Sequence, residues 1–239
     1  MNEDEPEKPR RGWGWGCGAA VVVVAALLAA LLLPSYGLIT TSARQMKASS
    51  NARQIVGLLL TYAADYNGLY PDRGKDLAGL TSNDVFRELV REGLVQDETI
   101  FGCPLSRFVP DKNVGAPPDY DEAVTAGENH WMMAAGLQPT SPGHYPLVIE
   151  SASVAAWPPK WIPRRSWLSR KLTPATDAPP ARGRSWEGNT IVIGFNDASV
   201  QVVKLEEKSD LLHLPSTFFN PAGQPPMPPF KVLDINAPR

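Results

Sequence analysis

The feature that most constrains this 239-residue chain is an uncharged segment near its N-terminus, residues 16–39, GCGAAVVVVAALLAALLLPSYGLI. A helix rises about 1.5 Å per residue, and about 20 apolar residues cross the hydrocarbon core of a bilayer. In a soluble core such a helix would need apolar neighbours on every side, and the Pro-rich remainder of the chain is short of long apolar segments. We therefore expect residues 12–39 to form a transmembrane helix with a kink at Pro34.

The residues that flank this segment predict its orientation. Residues 1–11 form a short polar leader that ends in Arg10 and Arg11, and basic residues next to a span favour the cytoplasmic side. We expect a single-pass protein of the inner (cytoplasmic) membrane, with the lipid bilayer as a partner and the C-terminal domain in the periplasm. A cleaved signal peptide is the alternative. The apolar core continues to Ile39 without a clear A-x-A site, which favours a retained anchor.

A second helical segment is predicted over residues 40–67. It is rich in strong helix formers, contains no proline, and ends at Asn67-Gly68, a common helix stop. Apolar side chains recur in it at three- and four-residue steps, which predicts one face that packs on the domain that follows. This packing face of the stem consists of Ile55, Leu58, Leu59, Tyr62 and Tyr66.

The next part of the chain, residues 68–214, predicts one globular domain. Thr81 and the polar residues after it offer N-caps for a short amphipathic helix, and runs of β-branched residues predict strands, most clearly a hairpin over residues 190–205. The expected fold class is α+β. A long kinked N-terminal helix, transmembrane and then stem, would pack on a small antiparallel β-sheet.

Two segments do not fit a compact core. Residues 157–186 form an insertion that is rich in Pro, Trp and Arg. It either contacts an anionic partner or the membrane surface, or packs its tryptophans on the domain with the arginines solvated, and we favour the second interpretation. Residues 215–239 predict a proline-rich extended tail that wraps the domain or hangs free. The candidate contact residues of the insertion are Trp161, Arg164, Arg165 and Trp167.

Three blocks of sequence resemble a known group of proteins. They are AALLLP at residues 29–34, SNARQIVGLLLTYAADYNGLYP at residues 50–71, and IFGCPLS at residues 100–106, which GNTIVIGFNDASVQVVK follows at residues 188–204. Together they are similar to pilin-like and pseudopilin-like proteins of bacterial type II secretion and type IV pilus systems. The resemblance implies a pilin-like fold, a structural role, and other pilin-like subunits or secretion components as partners.

The chain departs from that group at its N-terminus. In the register set by AALLLP, Gly12 stands at the prepilin cleavage position and Trp13 at the new N-terminus. Cys17 stands where the family has a Glu that pairs with the N-terminal amine of a neighbour. A thiol with a reference pKa of about 8.5 does not supply that charge at neutral pH. The processing site is therefore degenerate.

The sequence offers little for catalysis. The formal net charge of −2 argues against a general nucleic-acid binder. His130, His144 and His213 have no second ligand at metal-binding spacing, and no nucleophile or phosphate-binding motif is present. We therefore expect no enzyme activity, no metal, no cofactor and no small-molecule substrate.

Two functions remain as hypotheses. The first is a membrane-anchored, pseudopilin-like structural component of a secretion or pilus-type envelope assembly, which acts by helix packing. The alternative is a membrane-tethered periplasmic binding module that holds a partner through residues 157–186 or the proline-rich tail.

Overall fold

The structure, a computed structural model, describes residues 14–163 and 182–235, and within them it leaves the side chains of residues 14–20, 25 and 28–40 undescribed. The chain divides into two compact units, Met1–Ala43 and Arg44–Arg239. The helices are α1 (Gly14–Asp65), α2 (Ser82–Arg91) and α3 (Ser216–Phe219), with a 3₁₀ helix at Glu98–Phe101. The strands are β1 (Trp131–Ala135), β2 (Pro146–Glu150), β3 (Lys160–Trp161), β4 (Thr190–Phe195), β5 (Val200–Lys204), β6 (Glu206–Lys208), β7 (Leu211–His213) and β8 (Lys231–Leu233).

The strands form two antiparallel sheets. The larger sheet has five strands in the order β5-β4-β2-β1-β8, and the smaller has three in the order β3-β7-β6. The hairpin predicted over residues 190–205 forms as β4 and β5, with Val192 opposite Val202. Strand β8 comes from the proline-rich tail and pairs with β1, so the described part of the tail wraps the domain.

Each face of the five-stranded sheet covers a separate core. Because side chains alternate along a strand, Met133 and Val192 lie in one core, while Met132 and Ile193 lie in the other. The first core contains the buried residues of α2 and of residues 44–65 of α1, which we call the stem section. The second core lies against the three-stranded sheet and contains Trp161 and Leu212.

The stem section packs closely on β4. Its small and branched residues Ala52 and Val56 are fully buried. A Cβ atom placed on Gly194 of β4 would lie 2.8 Å from Cγ2 of Val56, below normal carbon–carbon contact. Gly194 is therefore the position in the sheet at which the absence of a side chain lets the helix approach.

The short helix α2 begins as the sequence predicts. The Thr81 hydroxyl accepts from the Asp84 backbone N–H, and the Asp84 carboxylate accepts in return from the Thr81 N–H. This reciprocal pair is a capping box, which satisfies two backbone donors at the helix start.

The expected fold class needs correction. The chain is α+β, but it has two antiparallel sheets in place of one small sheet, and the described residues contain no long apolar N-terminal helix. The second sheet was not predicted because β3, β6 and β7 contain only two or three residues each. Strands this short leave no alternating pattern in the sequence.

The predicted transmembrane helix is also wrong. Among the described residues, no helix combines the length and the apolar character needed to cross a membrane, which overturns the single-pass inner-membrane location. The prediction was based on the uncharged character of residues 16–39, but residues 16–18 and 34–37 include glycines, a proline and Ser35. The uninterrupted apolar run, residues 19–33, covers roughly 22 Å as a helix, against about 30 Å of hydrocarbon.

Two glycine substitutions test the packing of the stem section. We expect Gly194→Ala to lower the free energy of unfolding by about 1–3 kcal/mol, because the new methyl group overpacks the contact with Val56. Gly57→Ala is the matched control. It places a methyl group on α1 with no atom within 4 Å, so we expect a gain of about 0.5–1 kcal/mol from helix propensity. Urea unfolding measures both, and equal effects of the two substitutions would contradict the described contact.

Candidate functional site

The N-terminal unit exposes an apolar section of α1, residues 21–27. The side chains of Val21, Val22, Val23 and Val24 are 55–68% exposed, and Leu27 is 60% exposed. Successive residues of a helix are about 100° apart, so four consecutive valines cover its whole circumference. A helix that is apolar on all sides is normally buried in apolar surroundings. This apolar section is therefore a candidate contact surface.

The predicted packing face of the stem faces the chain's own core. Ile55, Leu59 and Tyr62 are buried, Leu58 is half-buried, and Tyr66 lies at the edge, where it stacks on Tyr62 with ring centroids 4.1 Å apart. Three buried alanines complete this face: Ala48, Ala52 and Ala63. The predicted face does not include them, because alanine contributes little to a hydrophobicity pattern. The face is used within the domain and is not available to a partner.

Trp161 packs on the domain, as the favoured interpretation of the insertion predicts, and is not a contact residue. It lies in β3 with no exposed surface and packs in the second core, so it cannot contact a membrane or a partner. Cys17 and Pro34 lie within α1, but their side chains are not described. The remaining predicted site residues lie outside the described residues: Gly12, Trp13, Arg164, Arg165 and Trp167.

Three side chains that are far apart in the sequence meet inside the C-terminal unit. Cys103 follows the 3₁₀ helix, His130 directly precedes β1, and Glu150 ends β2. One potential ligand atom from each residue lies within 4.8 Å of the other two. The three residues are 7%, 3% and 1% exposed, respectively. We call this group the Cys-His-Glu cluster.

The hydrogen bonds of the cluster are only half complete. The Trp186 indole N–H donates to Oε1 of Glu150 at 2.7 Å, the Val192 backbone N–H also interacts with this carboxyl, and the Ser151 hydroxyl lies 3.2 Å from Nδ1 of His130. The other polar atom of each residue, Oε2 of Glu150 and Nε2 of His130, is buried and has no hydrogen-bond partner in the described part of the chain. A buried polar atom without a partner costs about 1–3 kcal/mol.

Burial controls the electrostatics of the cluster. It raises the pKa of Glu150 to about 8 and lowers the pKa of His130 to about 3. The pKa of the Cys103 thiol lies well above its usual value, mainly through burial and also through the nearby Glu150 carboxyl. A thiol is a weak nucleophile until it is deprotonated, so the cluster is poorly suited to cysteine-based catalysis.

A surface cleft of about 410 Å³ reaches the cluster at Cys103. Its lining includes Lys47 and Asn51 of the stem section and Lys112 of the loop before β1. The Asn51 amide donates to the carbonyl of Gly102 at 2.9 Å, which holds the stem against the backbone next to Cys103.

A second group of acids, Glu98, Asp111 and Glu128, has a different character. The Glu98 carboxylate accepts from the backbone N–H groups of Lys112 and Val124, and Glu128 accepts from Thr125. These bonds order the long loop before β1 and use the buried carboxylate oxygens. Hydrogen bonding to the loop therefore accounts for the position of these acids without a bound ion.

Sequence reasoning missed the Cys-His-Glu cluster because its members do not share a motif. Each residue stands alone in the sequence, separated from the next by a loop or a strand. The available signals were the polar residues at the ends of two buried strands, His130 before β1 and Glu150 at the end of β2. Antiparallel pairing of β1 with β2 brings these ends together.

No protein-family profile, no curated protein and no solved structure matches the chain. The resemblance to pilin-like proteins thus depends on the three sequence blocks alone.

The burial of Cys103 makes a direct prediction. In a Cys17→Ser variant, where Cys103 is the sole thiol, we expect alkylation by iodoacetamide in the native state to be at least about tenfold slower than in urea, because the reactive thiolate is scarce and shielded. Mass spectrometry measures the rates, with chelator present so that bound metal cannot account for the protection. Equal rates in both states would contradict the buried thiol.

Proposed function

We propose that this chain is a non-catalytic structural subunit that assembles with further copies of itself through the apolar section of α1. The observation that supports the proposal is the exposure of Val21–Val24 and Leu27 around the whole helix. Such helix-mediated assembly is also what the resemblance of residues 29–34 and 50–71 to pseudopilin-like proteins implies.

The energetics favour contact with more than one neighbour. Full burial of a Val or Leu side chain contributes about 1.5–3 kcal/mol. Because these five side chains are 55–68% exposed, covering them contributes on the order of 5–10 kcal/mol. Association costs about 4–15 kcal/mol in lost freedom of motion. A single neighbour covers one side of each helix, so a pair gains on the order of 5–10 kcal/mol, which lies in the lower part of that cost range. Packing on all sides by several copies buries the apolar surface of each helix that a single neighbour leaves exposed.

The choice of identical copies follows from the composition of the segment. Residues 12–39 contain no charged side chain, so like helices can pack without repulsion and without a complementary partner charge. The family Glu that would pair with a neighbouring amine is replaced by Cys17, which leaves apolar packing as the main attraction. The alternative binding module loses support, because Trp161 and Trp186 of its proposed loop are both buried.

A pair of charge substitutions tests the assembly. We expect the full-length chain to sediment as an oligomer and the Val22→Asp/Val23→Asp double variant to sediment as a monomer, because two carboxylates cannot be buried between helices without a large desolvation cost. Val202→Asp is the matched control, since Val202 is 48% exposed on β5 in the other unit. Analytical ultracentrifugation over a concentration series gives the masses. A monomeric wild-type chain would overturn the proposal, as would an equal loss of assembly in the control.

Cys17 provides a second measurement on the same helix. Neighbouring helices that pack in parallel along residues 14–27 bring copies of Cys17 together. We expect mild oxidation to give disulfide-linked dimers that disappear in the Cys17→Ser variant. Absence of these dimers from an oligomeric sample would contradict parallel packing along this part of α1.

A further inference from the structure

We infer that Cys103, His130 and Glu150 form a binding site for one divalent transition-metal ion, and that zinc is the ion that fits the donors best. Thiolate sulfur, imidazole nitrogen and carboxylate oxygen are the three protein donors that zinc takes. In a tetrahedral zinc site, donor atoms bound at 2.0–2.3 Å lie about 3.5 Å from one another. The cluster, with its donor atoms within 4.8 Å, needs a contraction of about 1 Å to reach that geometry.

The unpartnered atoms point to a ligand. Nε2 of His130 and Oε2 of Glu150 are buried without a hydrogen-bond partner in the part of the chain that the structure describes. Both are lone-pair donors in their metal-binding forms, and both belong to residues that are at least 97% buried. Coordination of a cation would satisfy the two atoms together. The acids Glu98 and Glu128 serve as an internal contrast, because backbone N–H groups already occupy their carboxylates.

Neighbouring groups hold the three side chains of the cluster in place by hydrogen bonds, as residues around known metal sites do for the ligands. The Trp186 indole N–H holds Oε1 of Glu150, which leaves Oε2 for the ion. The Ser151 hydroxyl contacts Nδ1 of His130, which leaves Nε2 for the ion and fixes the ring orientation. The backbone N–H groups of Leu105 and Ser106 interact with the Cys103 thiol and favour its thiolate form. One thiolate and one carboxylate balance the charge of a divalent ion, so the loaded site is neutral overall.

Three protein ligands leave a fourth coordination position for water or another small donor. The cleft at Cys103 provides the entry path for the ion. A bound ion would join three segments that no disulfide connects: the loop after the 3₁₀ helix, the start of β1 and the end of β2. Through the bond from Asn51 to Gly102, it would also stabilise the stem section against this loop.

Cobalt and zinc titrations test the site. The chain carries Cys17→Ser so that Cys103 is the sole thiol, and it is treated with chelator and dialysed. We expect one equivalent of Co²⁺ to bind, with a thiolate-to-cobalt charge-transfer band and intense tetrahedral d–d bands, and one equivalent of Zn²⁺ to displace it. Cobalt binding without a thiolate band, or no stoichiometric binding, would overturn the inference.

Substitutions then assign the ligands. Cys103→Ser removes the thiolate band, and His130→Gln and Glu150→Gln each weaken zinc binding by more than 100-fold. Trp186→Phe, which removes the donor to Glu150 but leaves the ligands in place, weakens binding about 10–100-fold. His144→Gln is the matched control, because His144 lies outside the cluster, and it retains wild-type affinity. Full affinity in Cys103→Ser, or equal losses in His144→Gln, would overturn the assignment.

Folding is measured separately from binding. Far-UV circular dichroism of each metal-free variant shows whether it is folded. Where a ligand variant unfolds, the cobalt absorption spectrum of the Cys17→Ser chain, which keeps all three ligands, still decides the inference. Saturating Zn²⁺ should raise the melting temperature of this chain and of His144→Gln, but not that of folded Cys103→Ser. The Val22→Asp/Val23→Asp chain should bind metal normally, so failure of the assembly proposal leaves this test intact.

Discussion

The close packing of the stem section on the five-stranded sheet is the contact on which the rest of the C-terminal unit depends. Ala52 and Val56 meet the sheet where Gly194 has no side chain, which lets the helix lie near the strands. Close contact matters because dispersion between atoms is weak for each pair and falls rapidly with separation. The same helix turn presents Asn51, whose amide holds the backbone next to Cys103. Helix position and cluster geometry are therefore coupled.

The Cys-His-Glu cluster lies where an apolar core meets polar strand ends. Polar groups in protein interiors normally have partners, and the described residues follow this rule closely around Asn129 and Glu98. Glu150 and His130 are among the residues that depart from it, each with one atom satisfied and the other not. Because both residues lie in one cluster with the Cys103 thiol, a bound cation would explain the two departures together. One departure by itself would be explained by local packing.

The two units of the chain have opposite chemistry. Among its described residues, the C-terminal unit buries most of the large apolar side chains in two cores. The N-terminal unit exposes its valines on every side of the helix. The proposed assembly through one unit and the proposed metal site within the other depend on different residues, so each can be tested without the other.

The sequence by itself determined the local elements that have a strong period or a specific cap. The apolar spacing of Ile55 and Leu59 predicted the stem, Thr81 predicted the start of α2, and the β-branched runs predicted the hairpin of β4 and β5. The prediction of a transmembrane helix failed because it depended on the length of the apolar run. Glycines before this run and a proline after it limit the run to residues 19–33.

Only the tertiary structure decided the second sheet, the burial of Trp161, and the meeting of Cys103 with His130 and Glu150. These features result from contacts between segments that are distant in the chain, and the pairing of such segments leaves no local signal that a sequence pattern can detect.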